Sequence, residues 1–251
     1  MIKGIKENPY IDLSSLIDHS SFLKIHPEIC RSFALASKFS AIGNLNVPEG
    51  FMNLKVYQDT FIPLHKSYET FLKLQDSHPI KINAQGLNDA DLATYLKYAL
   101  NGYDLYSYHF LIDFKEGWRT KDPLYGITPV AEYFPEVVNW VQKLVDLKVF
   151  TNIGRAAFFI QEAGGISFEH KDPSVDPEHP EILSEFIHIR PNLNRPFYVR
   201  DNDTLEKHYI NTCIAYWNDQ DYHGGDSVME PSYAFRIDGV FTDEFRKLIY
   251  G

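Results

Sequence analysis

Cysteine, basic charge and long apolar runs are all scarce in this chain, and each shortage excludes a class of protein. Only two cysteines occur, Cys30 and Cys213, too few for a disulfide scaffold and without the CxxC spacing typical of zinc sites. The 24 basic residues against 34 acidic ones give a net charge of −10, so we expect no nucleic-acid partner. There is no apolar run of the roughly 18 residues that a membrane span needs, and no secretory signal is visible. We therefore expect a cytoplasmic protein with free thiols and no membrane partner.

The first half of the chain has the patterning of helices. Apolar residues recur at helical spacing over 28–38, and two further helices are predicted near His65 and after Asp91. An isolated strand is predicted over 104–114, and another helix over 135–147. We expect residues 1–130 to form a mostly helical N-terminal region that packs on a core made of residues 131–251.

The second half changes to short strands separated by turn residues. Strands are predicted at five places, 153–161, 184–190, 196–200, 209–217 and 233–238. A capping helix is expected over 242–250, with Thr242 as its N-cap. Such a series of strands indicates an antiparallel barrel or a jelly roll.

The candidate chemistry lies in this strand-rich half. His170 and Asp172 form an H-x-D motif just past a predicted strand, and His223 follows much later. In an extended segment, residues two apart point to the same side, so His170 and Asp172 face the same way. Two imidazoles and one carboxylate form the facial triad that holds non-haem Fe(II) and leaves positions open for a co-substrate and O2.

A cation downstream of these residues fits the same interpretation. Arg236 lies inside the last predicted strand of the core. A dicarboxylate co-substrate such as 2-oxoglutarate needs a fixed cation for its far carboxylate, and the guanidinium fork of arginine suits that task.

Alternatives to this ligand set remain open. His170 and Asp172 together also fit a solvated surface loop, since a lone H-x-D is a weak signal. His179 and Glu181 form a competing H-x-E pair in a proline-rich segment, and Asp221 also lies close enough to His223 to be a ligand.

The segments 154–172, 184–199 and 216–239 resemble the Fe(II)/2-oxoglutarate-dependent dioxygenase superfamily. Within it they are similar to the aspartyl/asparaginyl β-hydroxylase family, over about residues 130–240. The resemblance implies a mainly β fold with a helical N-terminal part, in which helices flank a double-stranded β-helix (jelly-roll, cupin-like) core. It also implies Fe(II), 2-oxoglutarate and O2 as cofactors.

The same resemblance assigns roles to individual residues. His170, Asp172 and His223 would bind the iron, and Arg236 would bind the far carboxylate of 2-oxoglutarate. His188 occupies the position of a histidine that helps to bind 2-oxoglutarate. The family arginine two residues before it is Phe186 here, and Arg190 is a possible substitute.

We therefore expect a 2-oxoglutarate-dependent dioxygenase that hydroxylates a peptide side chain or a small amino-acid-like substrate. The acidic net charge favours a neutral or cationic substrate. Two alternatives stay open. One is a cupin-type metal enzyme that does not use 2-oxoglutarate. The other is a non-catalytic module whose helical half binds a partner. The sequence does not indicate an oligomeric state.

Overall fold

The structure of the chain is a computed structural model that describes the strand-rich half and parts of the N-terminal half. The described residues are 2–36, 41–42, 107–116, 124–161, 167–172, 174, 182–226, 230 and 232–251. The helices predicted near His65 and after Asp91 lie outside them, as do His179, Glu181 and most of the segment between Asp172 and Glu185.

The described helices lie near the chain ends and before the core. They are α1 (Ser20–Lys24), α2 (His26–Leu35), α3 (Pro135–Asp146) and α4 (Asp243–Tyr250), with a 3-10 helix at Pro129–Tyr133. The helices predicted over 28–38, 135–147 and 242–250 are thus confirmed. The Thr242 hydroxyl accepts a hydrogen bond from the Phe245 N–H at 3.1 Å, so Thr242 is the N-cap of α4.

Twelve described strands form two antiparallel sheets. The strands are β1 (Tyr10–Asp12), β2 (Ala41–Ile42), β3 (Ser107–Glu116), β4 (Leu124–Ile127), β5 (Phe150–Gln161), β6 (Ser167–His170), β7 (Glu185–Ile189), β8 (Phe197–Arg200), β9 (Lys207–Tyr209), β10 (Ile214–Trp217), β11 (Tyr222–Gly225) and β12 (Ser232–Phe241). The main sheet has the order β1-β10-β7-β12-β5-β3-β2, with β4 beside β3, and the second sheet has the order β6-β11-β8-β9.

The chain passes back and forth between these two sheets. From β5 to β12 each strand lies in the sheet opposite its predecessor, except that β8 and β9 form a hairpin within the second sheet. This winding of strands around a shared interior defines a double-stranded β-helix, or jelly roll. The predicted mainly β class is therefore confirmed.

One predicted strand is wrong. The segment 209–217 is not continuous, because it is divided between β9 in the second sheet and β10 in the main sheet. The chain crosses between the sheets at this point, and the carbonyl groups of Ile210 and Thr212 turn inward to accept hydrogen bonds from the Arg190 guanidinium. Arg190 thus contacts the segment in which the chain crosses from one sheet to the other.

The N-terminal half contributes strands to the main sheet as well as helices. Tyr10 in β1 pairs with Trp217 in β10, and residues 107–112 of β3 pair with β5. The described part of residues 1–130 is therefore joined to the core by backbone hydrogen bonds. Whether this region is mostly helical as a whole stays a prediction, since residues 43–106 lie outside the described part.

The two faces of the main sheet meet different partners. On the outer face, Phe22 of α1 stacks on Phe235 of β12 with ring centroids 5.6 Å apart, and Trp140 of α3 meets Phe22 at 5.1 Å. This face forms the apolar core under the helices. Side chains alternate between the two faces of a strand, so the neighbours of these residues point the other way. Among them, His188 and Arg236 point toward the second sheet.

Two further expectations concern thiols and membranes. Cys30 is exposed, Cys213 is partly buried, and both are free thiols as predicted. No helix in the described ranges has the length and apolar character to span a bilayer. The cytoplasmic location stays a prediction.

Candidate metal centre

Two histidines face each other across neighbouring strands of the second sheet. His170 ends β6, and His223 lies opposite it in β11 as its antiparallel register partner. Directly opposed residues in such a pair bring their Cβ atoms within about 5 Å, on the same face of the sheet. The two imidazole rings accordingly lie with their centroids 4.4 Å apart. Residues separated by half the core sequence are thus neighbours.

Asp172 completes a group of three candidate ligands. Its Oδ1 atom lies 3.5 Å from the Nε2 atom of His170. One ligand atom from each of His170, Asp172 and His223 falls within 4.8 Å of the others. The Asp172 N–H donates to the Asp219 carbonyl at 2.8 Å, which fixes the backbone beyond the end of β6. In the part of the chain that the structure describes, no second group of this kind occurs.

The His223 side chain is prepared to bind a metal. Its Nδ1 atom donates a hydrogen bond to the Asp221 carbonyl at 2.9 Å, so the Nε2 lone pair is left for the metal. Burial, together with the nearby His170, lowers the pKa of His223 to about 3. The imidazole is therefore neutral at pH 7, the form in which histidine binds metals.

Asp172 is ionised in this setting. Burial opposes its ionisation, but the His170 hydrogen bond and the Arg236 charge hold the pKa of Asp172 well below the ordinary carboxyl value. Two imidazoles and one carboxylate form the donor set of non-haem Fe(II) facial triads. The residues present therefore fit a divalent transition metal such as Fe(II).

Asp221, the described competitor of Asp172, has another function. Its side chain is fully buried, and its two oxygens accept hydrogen bonds from the Lys3 N–H at 2.8 Å and the Gly4 N–H at 2.7 Å. Both oxygens hold the N-terminal segment, so the alternative in which Asp221 binds the metal is not supported. The H-x-E alternative lies outside the described residues.

Arg236 lies beside the metal ligands, with its guanidinium among three carboxylates. Its Nη1 atom donates to Asp172 at 2.8 Å, its Nη2 atom to Asp219 at 2.8 Å and its Nε atom to Asp238 at 2.7 Å. Burial alone would lower the pKa of Arg236, but these carboxylates raise it above the ordinary arginine value. Asp219 is almost fully buried, and this burial raises its pKa to about 7.

His188 lies in the interior, opposite Arg236 in the register of β7 and β12. Its ring stacks on Phe197 with centroids 5.2 Å apart and meets Trp217 edge-on at 4.9 Å. Burial, aided by the charges of Arg190 and Arg236, lowers its pKa well below the ordinary histidine value. His188 is thus a neutral imidazole inside the barrel, and its co-substrate role stays a prediction.

Arg190 is directed to the backbone. Its guanidinium donates to the carbonyls of Arg195, Ile210 and Thr212, and burial lowers its pKa to about 10. These contacts brace the crossing between β9 and β10. The prediction that Arg190 takes the place of the arginine missing at Phe186 gains no support from these contacts. The ring of Phe186, the residue that the resemblance sets in place of that arginine, lies 3.9 Å from the Arg236 guanidinium.

Two buried polar atoms beside the triad have no hydrogen-bond partner among the described residues. They are Nε1 of Trp217 and Oδ1 of Asp219. The Trp217 ring lies 5.8 Å from the His223 ring. Buried polar atoms are nearly always paired in folded proteins, so these two favour an interior that receives a polar ligand.

Asp219 and Asp238 are not among the site residues predicted from the sequence. A signal for Asp238 was present, because it lies two residues from Arg236 on a strand and so shares its face. Asp219 precedes β11 in a polar turn, and no pattern in that turn marks it.

No known protein family matches the chain, and no curated protein matches it. Among solved structures, it is similar to an oxidoreductase of the 2OG-Fe(II) oxygenase family from Burkholderia pseudomallei, at 12% identity and a TM-score of 0.36, covering 53% of this chain and 67% of that one. A Pseudomonas putida prolyl-4-hydroxylase aligns at 6% identity and a TM-score of 0.32, covering 54% and 68%. An RmlC-like cupin protein from Desulfovibrio desulfuricans aligns at 11% and 0.25, covering 52% and 82%. Likenesses this distant carry no argument about activity. None of these three concerns the aspartyl/asparaginyl β-hydroxylase family, which stays a prediction.

Proposed function

We propose that this protein is an Fe(II)- and 2-oxoglutarate-dependent dioxygenase. The observation that carries the proposal is the convergence of His170, Asp172 and His223, whose ligand atoms lie within 4.8 Å of one another. Three protein ligands from one side of a metal leave its other positions for a co-substrate and O2. The position of the group, between the sheets of a double-stranded β-helix, supports the same class.

Each residue of the site has its own role in this proposal. His170, Asp172 and His223 hold the metal, and the hydrogen bond from His223 to the Asp221 carbonyl orients that imidazole. When bound, Fe(II) supplies the redox chemistry by which O2 converts 2-oxoglutarate to succinate and CO2 and a substrate C–H bond to C–OH. The aromatic rings of Phe197 and Trp217 exclude water from this part of the interior.

His188 and the net charge of the chain bear on the co-substrate and the substrate. His188 is a neutral imidazole in the interior, available to hydrogen-bond the co-substrate. The substrate class is a peptide side chain or a small amino-acid-like molecule, and the net charge of −10 favours a neutral or cationic one.

The test is an anaerobic titration of the metal-free protein with Fe(II) and then 2-oxoglutarate. The proposed function requires the weak visible charge-transfer band implied by the dioxygenase resemblance. The band must be absent in His170→Ala and retained in His208→Ala, whose histidine lies on β9 outside the triad. Succinate formed under O2, with a product one oxygen atom heavier, would complete the assignment. The absence of a band in wild-type protein that binds Fe(II) would reject the use of 2-oxoglutarate.

A cupin-type metal enzyme that does not use 2-oxoglutarate is the second candidate. The observation that favours it is the saturation of Arg236, the predicted anchor for a dicarboxylate, by three carboxylates of the chain itself. Metal binding without the charge-transfer band and without succinate formation would support this candidate.

A further inference from the structure

The contacts of Arg236 differ from those expected of a residue that binds the far carboxylate of a co-substrate. Each of its three guanidinium nitrogens lies within 2.8 Å of an oxygen from a different carboxylate, belonging to Asp172, Asp219 and Asp238. The Arg236 side chain is only 9% exposed. Charge-assisted hydrogen bonds of this length are the strong ones. A co-substrate carboxylate here would be a fourth carboxylate at one guanidinium, whose three nitrogens already donate to the other three.

Asp172 needs a partner that orients it. It follows the end of β6 and its side chain is 27% exposed, so the sheet does not hold its carboxylate. Its two oxygens have separate environments. Oδ1 faces His170 Nε2 at 3.5 Å, and Oδ2 accepts from Arg236 Nη1 at 2.8 Å. The Arg236 contact thus leaves Oδ1 directed toward the imidazoles.

Arg236 is itself held from two sides. Asp219 is 1% exposed and binds Nη2, while its backbone carbonyl accepts from the Asp172 N–H. Asp238 binds Nε at 2.7 Å. The Phe186 ring lies 3.9 Å from the guanidinium carbon. These contacts fix the guanidinium in one orientation, as a rigid support for Asp172 must be.

We infer that Arg236 is a positioning residue that holds Asp172 in its metal-binding orientation, with Asp219 and Asp238 as its supports. The inference rests on the proposed function only in that His170, Asp172 and His223 bind the metal. It replaces the predicted role of Arg236 as the anchor of 2-oxoglutarate.

The experiment measures two affinities separately. Mn(II) binding to the full-length, metal-free protein is followed by the loss of the free-ion EPR signal, without 2-oxoglutarate. The dissociation constant of 2-oxoglutarate is then measured by calorimetry at saturating Mn(II). In Arg236→Gln we expect the Mn(II) dissociation constant to rise about 10–100-fold, the usual effect of removing a partner of a metal ligand. The 2-oxoglutarate constant should change by less than about threefold, since this partner does not touch the co-substrate.

Arg155→Gln is the matched control, because Arg155 shares Asp238 with Arg236 but has no contact with Asp172 among the hydrogen bonds and ion pairs of the described residues. Its Mn(II) affinity should match that of the wild type. If Arg236→Gln does not fold, Arg236→Lys takes its place, since an ammonium keeps the charge but lacks the fork that reaches three carboxylates at once. It too should weaken Mn(II) binding.

An unchanged Mn(II) constant, with a 2-oxoglutarate constant raised tenfold or more, would overturn the inference and restore the anchor role. An equal loss of Mn(II) affinity in Arg155→Gln would also overturn it, because the effect would then not be specific to the Asp172 contact. Failure of the proposed function is a separate result. It is wild-type protein that binds Mn(II) but not 2-oxoglutarate, and the Mn(II) comparison still decides the role of Arg236.

Discussion

His170 and His223 are cross-strand partners in the second sheet, and their rings lie 4.4 Å apart although 53 positions separate them in the sequence. Their separation is set by backbone pairing of β6 and β11 rather than by loop conformation. Sites carried on paired strands are held more rigidly than sites on loops. The candidate metal centre therefore depends on the integrity of this strand pair.

Metal binding should stabilise the protein through these histidines. A ligand that binds only the folded state adds about 2.7 kcal/mol at a concentration 100 times its dissociation constant. We expect Mn(II) to raise the thermal midpoint of the wild type, and His223→Ala to abolish the shift. The measurement is a thermal melt with and without Mn(II), and His208→Ala should retain the full shift. A shift that survives in His223→Ala would place the metal elsewhere.

Gly224 permits the close approach of β6 and β11. A Cβ atom at this position would lie 3.0 Å from the Cα and 3.1 Å from the N atom of Glu169, both rigid backbone atoms. We expect Gly224→Ala to cost about 1–3 kcal/mol of unfolding free energy through overpacking. It should also weaken metal binding, because the added atom pushes His170 away from His223.

Gly239→Ala is the control for this prediction. Its Cβ atom would lie 2.6 Å from the Asn152 carbonyl oxygen, between β12 and β5 in the main sheet. It should destabilise the protein without raising the metal dissociation constant. Equal metal affinities in the two variants, measured by Mn(II) EPR, would refute the link between Gly224 and the site.

Asp221 should anchor the N-terminal segment. Its buried carboxylate accepts hydrogen bonds from the Lys3 and Gly4 amides. Hydrogen bonds to a charged group are worth about 1.5–3 kcal/mol each, so Asp221→Ala should lower the unfolding free energy by about 3 kcal/mol or more. Urea denaturation measures the loss of unfolding free energy. The amide hydrogens of Lys3 and Gly4 should also exchange faster than in the wild type. Asp243→Ala, which removes an 83% exposed carboxylate, should cost less than about 1 kcal/mol.

His188 should make stability depend on pH in the acidic range. Its folded-state pKa lies well below the ordinary value because of burial. The unfolded chain therefore binds more protons at this residue below about pH 6.5, and stability is lost as the pH falls, by up to about 1.4 kcal/mol per pH unit. Metal-free His188→Gln should lose stability less steeply than the wild type between about pH 6.5 and pH 5. Urea midpoints across this range give both slopes, and parallel slopes would contradict the prediction.

Local patterns in the sequence were sufficient for β5, β7, β8 and β12 and for α2, α3 and α4, but they did not predict β6 and β11, the strands that carry His170 and His223. Apolar periodicity and turn residues are local signals, and the Thr242 cap depends on an amide only three residues away. The H-x-D spacing and the later His223 likewise identified the residues that the structure brings together. The strand predicted over 209–217 was wrong, because the chain crosses there from one sheet to the other, and no local pattern marks a change of pairing partner.

What the sequence by itself determined is the type of core and the residue types that carry its chemistry, because side-chain alternation and donor chemistry can be read position by position. The tertiary structure decided which charges meet. Only strand register and the turn before β11 bring Asp219 and Asp238 to Arg236 and place Arg236 on Asp172. Long-range ion pairs depend on three-dimensional distance rather than sequence spacing, so the sequence could not show that the Arg236 guanidinium contacts Asp172 and Asp219.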